Sequence, residues 1–285
     1  MKQQRLVLAA RSLAVLVLVG LLIAWSTPPV GSADYTKEKL RFKLESIETR
    51  TGITLPFLVL GDPQDVSKTA LIILPGGWGD HQFRIQEDGS LKLGINFLVR
   101  TAPMFAEKGY RVVIVDVPSD KQSGMDDDFR KSDSHAQDIR GLIKEIASHG
   151  VESFFLLGTS RSTLSICSLA AKLKDARIKG IVLTSSLDYD DFLKWLPLEN
   201  IRYPVLLVHH RNDECKICSF YQAMKLRDAL RKTIKVDFVE VSGGRFPDTG
   251  PCQPLSPHGY YGKEDKVVEA ITLWLSGNKV SEMVE

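Results

Sequence analysis

A serine, an aspartate and a histidine follow three apolar runs of the chain, in that order. Ser160 stands in the pentapeptide GTSRS after "SFFLLG", Asp213 follows "PVLLVHH", and His258 follows "KVDFVEVSG". A serine hydroxyl becomes a strong nucleophile when a histidine accepts its proton and an acid holds that histidine in the right tautomer. Alone, Ser160 would also suit a helix cap. The complete set favours Ser160 as nucleophile, Asp213 as acid and His258 as base.

Other residues compete for two of these roles. Asp188, Asp190 and Asp191 follow the preceding predicted strand and stay alternatives for the acid. His258 is the one histidine between the last predicted strand and the last predicted helix, which favours it as base. The remaining histidines are interpreted as surface or helix-end residues (His135, His149), as residues that shape the acid's loop (His209, His210), and as a substrate contact or a solvated residue (His81).

These residues need a scaffold that brings their loops together. Residues 41–60 predict an antiparallel hairpin with its turn at 49–52, and short apolar runs then alternate with amphipathic ones. The predicted strands are 70–76, 111–117, 153–158, 180–186, 204–210 and 235–243, and the predicted helices are 97–108, 135–149, 162–174, 221–232 and 263–275. Such strands form a mostly parallel sheet covered on both faces, and ligand sites lie beyond the carboxyl ends of its strands.

At this point the chain resembles the α/β-hydrolase family, over nearly all of its length after the first segment. The elbow of that family is usually Gly-x-Ser-x-Gly and its order is serine, acid, histidine; here Ser162 replaces the last glycine. GTSRST together with SPHGYYG is similar to exported bacterial α/β hydrolases of poorly defined substrate. The resemblance implies an α/β-hydrolase fold with a mostly parallel central sheet of about eight strands and helices on both faces. Because only a short helical piece fits between residues 186 and 204, little or no lid domain is expected.

The resemblance also implies where an oxyanion would bind. The family's donors are the backbone N–H after the nucleophile, here that of Arg161, and one from the first glycine-rich loop, here Gly77 or Trp78 in "PGGWGD". The Arg161 side chain either attracts an acidic substrate or pairs with a carboxylate of the wall, and the pairing is favoured. Residues 80–96 are the best candidate for a cleft wall, because only a short helical piece fits between residues 186 and 204.

The first segment of the chain differs in kind from the rest. Three basic residues precede an uncharged run at 12–25, which is short for a bilayer span and typical of a secretory signal, and small residues at 31 and 33 suit cleavage before Asp34. The prediction is a signal peptide at 1–33 and a single α/β-hydrolase domain at 34–285, secreted or periplasmic and without stable membrane insertion after cleavage. An uncleaved N-terminal anchor is the alternative.

Four cysteines in a chain expected to be exported indicate disulfide chemistry more than metal binding. Cys215 lies two residues after Asp213 and Cys252 six before His258, so that a Cys215–Cys252 bridge would join the loops of acid and base. A Cys215–Cys218 bridge is the competing pairing, and "CKIC" lacks the second pair that a structural zinc site needs. The fourth cysteine, at position 167, is expected to be a buried free thiol.

The combined prediction is a serine hydrolase that cleaves a carboxylic ester of a small molecule through Ser160, Asp213, His258 and an acyl-enzyme, without cofactor or metal. A net charge of +2 and the lack of a basic cluster with interleaved aromatics predict no nucleic-acid partner. The same triad serves peptidases, thioesterases and acyltransferases. The rival from another class is a non-catalytic binding protein on the same scaffold.

Overall fold

The apolar runs of the sequence form a nine-stranded sheet. The computed structural model describes residues 34–35, 40–61, 67–80, 82–187, 196–232 and 234–285, which belong to one compact unit, residues 31–285. The strands are β1 Asp34–Tyr35, β2 Phe42–Arg50, β3 Ile53–Leu60, β4 Thr69–Leu74, β5 Phe83–Ile85, β6 Leu91–Leu93, β7 Arg111–Val115, β8 Ser153–Thr159, β9 Ile178–Thr184, β10 Val205–His210, β11 Val236–Val241 and β12 Met283–Val284. The helices are α1 Phe97–Arg100, α2 Ala102–Glu107, α3 Asp127–Lys131, α4 Asp133–Ser148, α5 Ser162–Lys172, α6 Phe220–Leu230 and α7 Glu264–Leu275.

The large sheet has the order β12-β11-β10-β9-β8-β4-β7-β3-β2. Neighbouring strands from β12 to β7 run parallel, whereas β3 pairs antiparallel with both β7 and β2. The prediction of a mostly parallel sheet is therefore confirmed, and so is the hairpin, in which Phe42 faces Leu60. The strand beyond the predicted eight is β12, a two-residue strand beside β11.

The sheet is buried on both faces because successive side chains of its central strands point to opposite sides. In β4, Ile72 and Leu74 belong to a hydrophobic cluster that includes residues of α4, α5 and α6, while Leu71 and Ile73 belong to a second cluster that includes residues of α1, α2 and α7. Each of these four side chains is completely buried. Helices on both faces leave the ends of the strands as the place where loops can form a cleft.

The helix predicted at 97–108 is broken into α1 and α2. Pro103 has no amide hydrogen, so it cannot donate to the Val99 carbonyl as a continuous helix requires. Thr101 forms the joint, and its hydroxyl donates to the Phe97 carbonyl at 2.7 Å. Residues 97 and 98 of α1 are buried in the core.

The candidate wall at 80–96 contributes β5 and β6 to a small sheet that sequence analysis did not predict. β6 pairs antiparallel with β5 and β1. Strands of three residues are too short to show a clear alternation of apolar and polar residues, which explains why the pattern gave no signal.

Among the described residues, no helix combines the length and the hydrophobicity that crossing a bilayer requires.

Candidate active site

Ser160 occupies a strained turn between β8 and α5. Its φ is 53°, in the left-handed region that serine rarely adopts, and its N–H donates to the Thr184 carbonyl at 3.0 Å. A side chain at Gly158 would meet Ile166 Cγ1 at 2.5 Å, so that only glycine permits this close approach of helix to strand. A strained residue at the end of a central strand is the arrangement expected of a nucleophile.

Ser162, which stands where the related pattern has glycine, fastens this turn to the neighbouring strand. Its completely buried hydroxyl lies 2.6 Å from the Leu74 carbonyl at the end of β4, to which it donates, and it accepts the Thr159 N–H at 2.8 Å. The serine therefore adds two hydrogen bonds that a glycine could not make. The serine that departs from the usual pattern therefore has a structural role, because its hydroxyl bonds the turn to β4.

Asp213 and His258 come together as predicted for acid and base. His258 Nδ1 lies 2.8 Å from Asp213 Oδ2, and both side chains are nearly completely buried. The other carboxylate oxygen of Asp213 accepts the Cys215 N–H at 2.9 Å. Burial alone would raise the pKa of Asp213, but hydrogen bonds from His209 and His258 outweigh it and hold the pKa below its usual value. The acid is thus ionised when it faces the ring of His258.

The backbone of His258 is held by a small network of hydroxyl groups. Ser185 Oγ donates to the His258 carbonyl at 2.6 Å, and Ser185 N–H donates to Tyr260 Oη at 2.9 Å. Tyr260 in turn donates to the Val208 carbonyl of β10 at 2.7 Å. Ser185, with φ 45°, and Tyr260, with φ 58°, join Ser160 as the non-glycine residues of positive φ in the described part of the chain. Backbone strain therefore concentrates around the candidate site.

A cleft of about 370 Å³ has both Ser160 and His258 in its lining. The predicted wall contributes Gln82 and residues 94–96, and the base loop contributes residues 252–254. Among the described contacts, no hydrogen bond joins Ser160 Oγ to His258; the hydroxyl lies 3.7 Å from Cys218 Sγ. In enzymes without substrate such bonds are often long, and a rotation about χ1 is enough to reorient a serine hydroxyl.

Residues 76–79, here called the glycine turn, present open amides beside Ser160. The carbonyls of this turn are bound: that of Gly76 by Gly79 N–H at 3.1 Å, that of Gly77 by Arg130 Nη2 at 2.9 Å, and that of Trp78 by Met125 N–H at 2.9 Å. Within the described ranges, no acceptor binds the N–H of Gly77 or Trp78, nor that of Arg161. These are the amides that sequence analysis named as oxyanion donors.

The Arg161 side chain packs as the favoured interpretation expected. Its Nε lies 2.6 Å from Asp127 Oδ1, and its guanidinium stacks 4.4 Å from the centre of the Trp78 ring. The pairing with a carboxylate is therefore confirmed, although Asp127 belongs to α3 and is not among the residues that line the cleft. The charge of the Arg161 side chain is thus engaged by Asp127, and among the described contacts its backbone N–H has no acceptor.

A disulfide joins Cys215 to Cys252 across 37 positions of the chain, so the predicted pairing is present, and Cys167 and Cys218 are buried free thiols. Cys215, Cys218 and His258 place potential metal-binding atoms within 4.8 Å of one another. The disulfide occupies the sulfur of Cys215, so that two of the three ligands are available. Catalytic zinc sites use three protein ligands, and the described residues do not supply that set here.

The other histidines differ in part from expectation. His209 and His210 shape the acid's loop, binding the carbonyls of Cys218 and Gly243 at 2.7 and 2.9 Å. Of the two expectations for His135, the helix-end position is confirmed, since it lies in the first turn of α4, and the surface position is wrong, since it is buried against Phe129 with ring centres 5.5 Å apart. Its position at a predicted helix end gave no sign that α3 covers it.

Several predicted features lie outside the described residues. These are the signal segment at 1–33, His81, the alternative acids Asp188, Asp190 and Asp191, and most of the short piece between residues 186 and 204. Two residues near the site were not singled out by sequence analysis, Arg130 and Ser185. A lone arginine in "DDDFRK" is typical of a solvated helix, and only the fold brings it to the glycine turn.

No protein-family model and no curated protein sequence matches the chain. Solved structures match it, and acylaminoacyl peptidase of Pyrococcus horikoshii has a TM-score of 0.59 and 13% identity, covering 86% of this chain and 43% of that one. An esterase from Rhodococcus has a TM-score of 0.54 and 13% identity over 83% of this chain and 99% of that one. A protein from Agrobacterium tumefaciens, provisionally classed with the α/β hydrolases, has a TM-score of 0.55 and 16% identity over 84% of this chain and 100% of that one. This chain thus spans less than half the length of the peptidase, and at such identities the likeness is one of fold.

Proposed function

Because this chain has the α/β-hydrolase fold, we propose that it is a serine hydrolase that cleaves a carboxylic ester of a small molecule. The observation that carries the proposal is the 2.8 Å contact between His258 Nδ1 and Asp213 Oδ2, on a cleft that also contains the strained Ser160. Fold alone does not define a function, so the proposal rests on these groups and their geometry.

The groups have complementary roles in acyl transfer. Asp213 accepts the Nδ1 proton of His258 in a hydrogen bond, which leaves Nε2 unprotonated and able to act as base. Ser160 Oγ attacks the ester carbonyl carbon while its proton passes to Nε2, and the carbonyl oxygen becomes an oxyanion. The alcohol leaves with the proton from His258, and the acyl group remains on Ser160. Water, activated by the same histidine, then releases the acid and restores the serine.

Charge on the oxyanion is the largest electrostatic demand of this reaction. The amides of Arg161 and of Gly77 or Trp78 are proposed as its donors, because they lie at the nucleophile's turn and at the glycine turn and lack other partners among the described residues. Removing one such donor typically lowers turnover by about 100- to 1,000-fold. No residue of this scheme needs a metal or an organic cofactor.

Export from the cytoplasm is proposed as well, for the domain that follows residue 33. Disulfides persist in oxidising compartments and are rare in the cytosol, so the Cys215–Cys252 bridge supports this location. The charge and apolar pattern of the first segment support it independently. Mass analysis of protein from the exported fraction tests the cleavage, which should leave Asp34 as the first residue.

A fluorophosphonate probe tests the nucleophile. It should label the wild-type protein once, at Ser160, and Ser160→Ala should remove the label and lower turnover of p-nitrophenyl acetate on the order of a million-fold. Ser168→Ala is the matched control, since Ser168 is another buried serine, on α5, outside the site. Near-normal turnover by Ser160→Ala would exclude the assignment, and an unlabelled wild type would favour the non-catalytic binding protein.

Ester, thioester and amide substrates with the same acyl group distinguish the alternatives that share the triad. For each substrate, kcat/KM is divided by the rate constant of uncatalysed hydrolysis. The proposal expects this ratio to be highest for the oxygen ester. A higher acceleration for the anilide would indicate a peptidase, and product formed on an added alcohol would indicate an acyltransferase.

A further inference from the structure

Arg130, in α3, is a completely buried guanidinium beside the glycine turn. Its Nη2 donates to the Gly77 carbonyl at 2.9 Å, and its Nη1 donates to Ser165 Oγ at 3.1 Å. Its Nε has no partner, and within the described ranges no salt bridge joins the side chain to a carboxylate. The nearby Asp127 is instead paired with Arg161.

Such a cation is expensive to bury, because water is lost and the nearby carboxylates of Asp126 and Asp127 form no salt bridge with it among the described contacts. Burial and the neighbouring Arg161 lower the pKa of Arg130 to about 10, which still leaves it protonated at neutral pH. Two hydrogen bonds to neutral oxygens offset only part of this cost. A purely structural role would be served as well by an apolar side chain of similar size, so the position calls for another explanation.

The bond from Arg130 fixes the direction of one peptide group. In a trans peptide the C=O and N–H point in opposite directions, so a Gly77 carbonyl held by Arg130 turns the Trp78 N–H away from the guanidinium. Arg130 is buried, whereas Gly76 and Gly77 line the cleft, so the arginine approaches the turn from the interior side. A positive charge on the carbonyl also polarises the peptide and makes its N–H a stronger donor.

The neighbouring glycine admits this contact. A side chain at Gly79, whose φ is 84°, would lie 3.2 Å from Arg130 Nη2 and 2.8 Å from Met125 Cε. Gly79, which adopts this positive φ without strain, therefore leaves room for the Arg130 guanidinium beside the turn.

We infer that Arg130 is a positioning residue for the oxyanion hole, holding the glycine turn with its carbonyls inward and its amides open to the cleft. This inference rests on the proposed function, since it concerns the anion that forms during hydrolysis. Arg130 itself touches neither the substrate nor Ser160; it acts through the Gly77–Trp78 peptide.

The kinetics of Arg130→Met and Arg130→Lys test the inference. Each kcat is normalised to the fraction of Ser160 that a fluorophosphonate titrates. A hydrogen bond to a charged group is worth enough that Arg130→Met should lower kcat by about 10- to 100-fold, with KM changed by less than about threefold. Arg130→Lys, which keeps the charge but lacks the two separate nitrogens that bind Gly77 and Ser165, should lie between it and wild type. Ser165→Ala, which removes only the second contact, should stay within about threefold of wild type in kcat.

Inhibition by a trifluoromethyl ketone separates the two possible roles of Arg130, because the adduct of this ketone with serine carries an oxyanion. A purely structural role would leave the inhibition constant unchanged. The ketone's inhibition constant should rise across the variants in proportion to the loss in kcat/KM, while melting temperatures should not follow that order. Unchanged kcat per titrated site in a folded Arg130→Lys or Arg130→Met protein overturns the inference and leaves the proposed function intact. Failure of the wild type to react with the fluorophosphonate overturns both.

Discussion

Asp213 uses both of its carboxylate oxygens inside the protein. One faces His258 Nδ1 at 2.8 Å and lies 3.5 Å from His209 Nε2, and the other accepts the Cys215 N–H. These contacts hold its pKa below the usual value against the opposing effect of burial. The group therefore stays ionised on the acid side of neutrality and fixes the proton of His258 on Nδ1.

Asp213→Asn should lower kcat for p-nitrophenyl acetate by roughly 10,000-fold, because an amide favours the wrong histidine tautomer. Glu214→Gln is the matched control: the neighbouring carboxylate is exposed and should leave kcat unchanged. A severe loss in Asp188→Asn, with near-normal kcat in Asp213→Asn, would move the acid to the loop after β9.

Ser162→Ala should lower the free energy of unfolding by about 1–3 kcal/mol, because the Thr159 N–H and the Leu74 carbonyl lose a buried partner. Ser162→Gly should be no more stable than Ser162→Ala, although glycine is the residue of the related pattern. Urea unfolding measures both. Ser168→Ala, whose hydroxyl has a long 3.4 Å contact to the Lys131 carbonyl, should cost less. A Ser162→Gly protein more stable than wild type would contradict a bonding role for this hydroxyl.

Elements with a long and regular pattern were predicted almost to the residue. The strand predicted at 153–158 is β8, Ser153–Thr159, and the helix predicted at 162–174 is α5, Ser162–Lys172. The break between α1 and α2 was missed because helical periodicity continues through Pro103, whose effect is on backbone hydrogen bonding. The sheet of β1, β5 and β6 was missed because its strands are too short to carry a pattern.

The Cys215–Cys252 bridge joins the loop of the acid to the loop that lines the cleft beside the base. Cys252→Ser should lower the unfolding free energy by up to about 4 kcal/mol on the chain-entropy model, and kcat should fall because a displacement of about 1 Å can cost 100-fold in rate.

A reductant should have the same two effects on wild type and none on the Cys252→Ser variant, which serves as the internal control. Peptide mapping without reduction should recover the linked peptides. Four free thiols, or a Cys215–Cys218 peptide, in protein from the exported fraction would contradict this assignment.

At the scale of the whole molecule, buried histidines link stability to pH. Burial lowers the pKa of His135 to about 3, with smaller effects from Arg130 and Arg50. The unfolded chain binds a proton at this residue near pH 6.5, whereas the folded protein does not until about pH 3. Its contribution to stability is therefore fully present above pH 6.5 and is lost as pH falls toward 3.

Urea unfolding of wild type at pH 7, 5.5 and 4.5 should show a free energy that falls with acid, and His135→Phe should reduce that slope by up to about 1.4 kcal/mol per pH unit. His149→Gln is the control, because that ring ends the same helix and is half exposed. Parallel slopes for wild type and His135→Phe would contradict the assignment.

Sequence analysis predicted the part of the site that depends on loops at one edge of a parallel sheet. Ser160, Asp213 and His258 each follow a strand, and parallel strands end at the same edge, so chain order alone predicts that their loops meet. The role of Arg130 could not be predicted from the sequence. Its partner is a backbone carbonyl 53 positions earlier, and every residue has a backbone carbonyl. Cys218 was weighed only as a disulfide partner or a zinc ligand, and its contact with Ser160 Oγ depends on the turn after β10.

The order of the site residues along the chain has a consequence during synthesis of the protein. A ribosome adds the glycine turn first, then Ser160, then Asp213, and His258 last of the four. At a synthesis rate of about 5–20 residues per second, the base follows the turn by roughly ten to forty seconds. During that interval the nascent chain carries its serine without the group that activates it. On the proposed function, a chain that ends before residue 258 lacks the base and should show no hydrolytic activity.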